Sequence, residues 1–139
     1  MTTVVVLALV VGAIAAAAFV FMGRTETDAA SDAIEVIPEA EAVQAQANLD
    51  TAMRGAQVYF AENASFAGYG PEIATQTAPG PSYTTGTPTG GGIAIRGVSP
   101  TTIVFVTTTA SGAPMCVAST GTTVTRGTQD AQTAAGCTG

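Results

Sequence analysis

Residues 4–22 form an unbroken, uncharged run of Val, Leu, Ile, Ala and Phe, closed by Gly23-Arg24 and then by Glu26, Asp28 and Asp32. A run of about 20 apolar residues spans a bilayer core as a helix. Val4, Val5, Leu7, Leu9, Val11, Ile14, Phe19 and Phe21 are its expected helix-bundle or assembly residues. The alanines and Gly12 between them allow close helix packing, so the run is expected to bundle with copies of itself. An inert anchor is the plainer alternative. A cleaved signal peptide is the rival, but Met1-Thr2-Thr3 lacks a basic lead. Cleavage near residues 15–18 would also leave Phe19-Val20-Phe21-Met22 as an exposed start. A chain already trimmed to Met1 would explain the missing basic lead as well. The expectation is a retained membrane helix over 1–24.

The pattern then changes period. Residues 25–63 are rich in Ala, Glu and Gln, with a single Pro and a single Gly, and predict a helix. Asp28, Ser31 or Asp32 can each cap a start. Pro38 is expected to kink or restart it, with Glu39 and Glu41 in the favourable first turn. From there Ala42, Leu49, Met53, Ala56 and Phe60 fall on one face, a stripe that needs a cover. Asp50 and Arg54 are spaced for an ion pair on another face. Asn63 is a reasonable stop.

From Gly70 the chain turns to Thr, Gly, Pro and Ser with short β-branched runs. Alternation predicts a strand over 93–98 and β-branched composition the strongest one over 101–108, turned at Ser99-Pro100 into a hairpin. Further strands are expected over 115–119 and 122–126, then a helical turn over 130–135. Residues 75–92 read as a long irregular surface linker. The expected fold is α+β. A long N-terminal helix packs on a small antiparallel sheet of three or four strands with one face to bury, and a disulfide closes the C-terminal end. The expected divisions are 1–24, 25–63 and 64–139.

Charge and composition narrow the function. The chain has no His and no Lys, and its four arginines are scattered at 24, 54, 96 and 126. A net charge of -6 without a basic cluster argues against direct nucleic-acid binding and against electrostatic binding to anionic lipid. Without His or Lys there is no catalytic triad, imidazole base, Schiff base or Ser-Lys dyad. The acids between Glu26 and Glu72 read as a solvated helix face rather than as a glycosidase pair. Gly90-Gly91-Gly92 lacks the Lys and helix that phosphate binding needs. No cofactor, metal or small-molecule substrate is expected. Cys116 and Cys137 read most simply as a disulfide, the alternative being two separate buried thiols. Asn63-Ala64-Ser65 matches a glycosylation sequon but fits a helix stop better. The Thr-rich stretch 82–89 is a candidate for O-glycans. The tyrosines and phenylalanines from Tyr59 to Phe105 read as packing.

Two stretches carry a resemblance. Asn48-Leu49-Asp50-Thr51-Ala52-Met53, followed by Tyr59-Phe60-Ala61-Glu62-Asn63-Ala64-Ser65-Phe66-Ala67-Gly68, resembles the end of the helix in type IV pilins and pseudopilins. The tail from Cys116 to Cys137, with Thr125-Arg126-Gly127, is similar to the disulfide-closed C-terminal region of pilin-like proteins from Gram-positive lineages. The family carries a glutamate at the fifth residue of the mature chain. Here that residue is Val5, and the first acid is Glu26. The resemblance implies a structural subunit of a non-covalent surface filament, assembled through its apolar N-terminal helix. Its partners would be copies of itself or other pilin-like subunits, with membrane lipid before assembly and the head outside the cytoplasm. The alternative is a membrane-anchored, non-polymerising extracellular domain with an accessory or binding role. Without lysine, any polymer of this chain forms without isopeptide bonds.

Overall fold

A computed structural model describes residues 26–139, with side chains from Glu39 onward. The expected membrane helix over 1–24, with Val4, Val5, Leu7, Leu9, Val11, Ile14, Phe19 and Phe21, lies outside the described residues. So do the side chains of the proposed caps. The chain divides into two compact units, Met1–Ile37 and Pro38–Gly139, and the second holds the sheet, the core and the disulfide.

Helix α1 runs Glu26–Asn63, and its assignment continues through Pro38 rather than restarting there. It stops where Ala64 takes a left-handed backbone, φ 54°. Ala64 N–H donates to Phe60 O, and the Asn63 amide donates to Tyr59 O, so two of the last carbonyls are satisfied locally. A short helix α2, Pro71–Thr77, follows. It lies partly within the stretch expected to be linker. Its start is legible after the fact: Gly70 precedes a proline in the first turn, with Glu72 beside it. The strands are β1 (Tyr83–Thr84), β2 (Ile93–Arg96), β3 (Ile103–Thr108), β4 (Pro114–Ser119) and β5 (Val124–Gly127), and a 3-10 turn at Ala134–Gly136 precedes Cys137.

The α+β class holds, but the sheet is larger than expected and mixed. Five strands lie in chain order, antiparallel from β2 to β5. Strand β1 pairs parallel to β2, with Tyr83 opposite Ile93 and Thr84 opposite Ala94. A two-residue parallel pairing leaves almost no alternation to detect. The expected β2–β3 hairpin is present. Ser99 N–H donates to Thr102 O at 2.9 Å, and Thr102 N–H donates to Ser99 Oγ at 3.0 Å.

Both faces of this sheet are covered, not one. On the first, Ile93, Ile95, Ile103, Phe105 and Val117 pack with Leu49, Ala52, Met53 and Ala56 of α1 and with Phe66, Tyr69 and Ala74. On the second, Ala94, Val104, Val106, Cys116 and Ala118 pack under Ala131 and Cys137 of the C-terminal tail. Ile103 to Thr107 are therefore buried without interruption. A strand covered on both faces loses the polar alternation of a half-exposed one. Thr107 is the polar exception, and its Oγ1 donates to Gly92 O at 2.8 Å.

The two helices approach closely at Gly55. A Cβ there would sit 2.6 Å from Ala78 Cβ, just past the end of α2. Helix propensity favours alanine over glycine by about 1 kcal/mol. Overpacking a closed contact costs about 1–3 kcal/mol. Packing wins in this comparison, so Gly55→Ala should lower the urea midpoint with the slope unchanged. An unchanged or raised midpoint would mean that the segment around Ala78 yields easily.

Candidate functional site

Helix α1 has an inner and an outer side. Of the residues expected to pack on the head, Leu49, Met53 and Ala56 are buried, while Ala42 and Phe60 are half-buried. Ala45 and Ala52 share the buried face and went unnoticed, because alanine gives little hydrophobic contrast within an alanine-rich helix. At the end of the helix Phe60 rests on Phe66 with ring centroids 4.5 Å apart, and Tyr59 meets Tyr69 edge-on at 5.2 Å.

The outer side differs. Val43 is 69% exposed and Val58 53%, and Arg54 lies exposed between them. Asp50 does not pair with Arg54. Its Oδ1 receives Arg126 Nη2 from β5 at 2.9 Å. The register explains this. Arg126 lies opposite Val117, which faces the helix, so its guanidinium emerges beside α1. Arg54 has no ion-pair partner among the described residues. Asp50, Met53, Arg54, Gln57, Val124 and Arg126 line a depression of ≈ 260 Å³ that gathers two of the four arginines. A second, mainly apolar hollow, lined by Ala42, Val43, Gln46, Ala47 and Met115, meets it at Asp50.

On the opposite sheet face Arg96 pairs with Asp130 of the tail, and its side chain is only 11% exposed. The tail is also held by the Cys116–Cys137 disulfide, with Cα atoms 5.9 Å apart. Thr138 N–H donates to Gln129 Oε1 at 3.2 Å. Gly127 fits because its missing side chain leaves room for Thr138 O and the Gln129 amide.

An open groove of ≈ 640 Å³ separates α1 from the glycine-rich loop and the β3–β4 turn. Its polar lining is one carboxylate, Glu41, the threonines Thr89, Thr108 and Thr109, and the amides Gln44 and Asn48, which bond each other at 3.0 Å. This set can accept and donate hydrogen bonds. Among the described residues no three acids or cysteines group as metal ligands, and no helix is long and apolar enough to cross a membrane.

No protein-family model, curated protein or solved structure matches this chain.

A disulfide closing a loop of this size is worth about 3 kcal/mol on the chain-entropy account. Reductant, or Cys137→Ser, should lower the melting temperature and release the tail, seen as faster amide exchange at Ala131. Equal protection with and without the bond would assign tail docking to packing alone.

Burial raises the Tyr69 phenol above 10.0, opposed by its bond with Thr77. Burial, with Tyr69 nearby as the lesser cause, pushes Tyr83 up to about 12. Tyr83 also donates to Ala78 O at 2.7 Å. Between about pH 10 and 12 the folded state therefore holds protons that the unfolded chain has lost. Stability should be level below about pH 10 and fall above it. Tyr83→Phe should remove late-titrating absorbance at 295 nm and flatten that fall.

Proposed function

We propose that this chain is the structural subunit of a non-covalent, type IV pilus-like surface filament. The observation that carries the reading is the continuity of α1. Its later half packs on a sheet whose far face is closed by a disulfide-held tail, and its start follows the uncharged run 4–22. In this reading residues 4–22 sit in membrane lipid before assembly and pack against copies of themselves, or against other pilin-like subunits, in the fibre. The head, with its sheet and disulfide, stands outside the cytoplasm. An oxidising compartment suits a disulfide of this kind. The role is architectural: with no His or Lys in the chain, the groove beside Glu41 is read as a binding surface rather than a reaction centre.

One observation favours a second reading. The apolar run 4–22 holds no acid, whereas the family carries in its apolar helix a glutamate that neutralises a neighbouring N-terminal amine during assembly. A chain without that charge fits an anchored, non-polymerising pilin-like domain with an accessory or binding role.

Material sheared from cell surfaces separates the two. Intact mass and N-terminal sequencing, with electron microscopy of the pelleted fraction, should find this chain in fibres. Recovery of the chain only in membranes, with no fibres, would support the anchored reading instead.

A further inference from the structure

The outer side of α1 and the edge of β5 form one surface with an apolar half and a cationic half. Val43, Ala47 and Met115 line the first, Arg54 and Arg126 the second, and Asp50 marks the boundary. Val43 and Val58 remain substantially exposed along this side. Asp50 is already engaged by Arg126 and receives the Gln46 amide at 3.4 Å, while Arg54 has no ion-pair partner among the described residues. The surface therefore lacks an anionic partner that also brings apolar side chains.

The chain contains such a segment. Between Arg24 and Arg54 there is no base, and the sequence from Asp28 to Ile37 places acids at 28, 32 and 35. It places Ala, Ala, Val and Ile at 29, 33, 36 and 37. At helical spacing these make an acidic stripe beside an apolar one, and residues 26–37 belong to α1. We propose that the Arg54–Arg126 surface docks the acidic-apolar helical segment 28–37 of a second copy of this chain. The net charge of -6 disfavours contact between copies in most registers. It leaves favoured those that set acids against this cleft, so the contact selects register more than it adds affinity. The inference deepens the filament reading and rests on it for its biological setting.

The test uses the full chain in a nonionic detergent and a dye-labelled peptide of residues 26–41, with anisotropy read at low salt and in 1 M NaCl. Binding should be present at low salt and lost at 1 M, where screening shortens to about 3 Å. Arg54→Glu should weaken it roughly five- to tenfold, from loss of one exposed attraction and gain of a repulsion. Its melting temperature should not change, because Arg54 is exposed and holds no described ion pair. A peptide with arginine at 28, 32 and 35 should bind the Arg54→Glu chain better than the wild type. Equal binding by wild type and Arg54→Glu would overturn the proposal. So would equal binding of a scrambled peptide, which would reduce the cleft to a general anion patch, and so would absence of peptide binding. Peptide binding without fibres in sheared material would retire the filament reading and leave the docking surface standing. Fibres without peptide binding would do the reverse.

Discussion

Strand β3 needs apolar cover on both of its sides at once. Ile103, Phe105 and Thr107 face one way and Val104 and Val106 the other, and none of them meets solvent. Burying each large aliphatic or aromatic side chain stabilises the fold by about 1.5–3 kcal/mol, so leaving either side bare would forfeit much of the core. Helix α1 with the α2 region closes the first side, and the tail through Cys137 closes the second. The central strand thus accounts for the long helix, the disulfide and the glycine at 127 together. Without the tail, Val104 and Val106 would face water, and without α1, Phe105 would.

Charge is distributed to fit these two closures. Arg126 reaches from the sheet to the helix, and Arg96 from the sheet to the tail, so each cover has one ion pair at its seam. The exposed Arg126–Asp50 pair is worth at most about 1 kcal/mol, and its value is alignment rather than stability. Packing the inner side of α1 leaves the outer side with exposed valines and an uncommitted arginine. One helix therefore serves as core on one side and as a presented surface on the other.

Much of this plan was legible in the sequence. The stripe of Leu49, Met53 and Ala56 had helical spacing, and the runs that became β2, β3 and β4 were strongly β-branched. Strand β1 was hidden because its pairing is two residues long and parallel, a geometry with no side-chain pattern of its own. Helix α2 was hidden by the Thr-rich composition around it, although proline at its start was an available signal. The double cover of the sheet was missed although Ile103 to Val106 is an uninterrupted apolar run, because the neighbouring strands present only Ala94, Cys116 and Ala118 to the second side and its lid is a tail of small residues. The cationic cleft was beyond reach. Asp50 and Arg126 are 76 residues apart in sequence, and the nearer Arg54 at four residues was the obvious but mistaken partner. Only the register of β5 against β4 brings Arg126 to the helix side.

The tail that closes the second side of the sheet sets an order of events for a growing chain. Synthesis proceeds from the N-terminus, so α1 is made before the strand it covers. Residues 103–106 emerge while Ala131 and Cys137 are still to come. For that interval Val104 and Val106 have no lid, and the most β-prone apolar stretch of the head is open to association with other chains. Pro100 and Pro114 flank that stretch, and proline limits its extension into cross-strand pairing until the tail arrives.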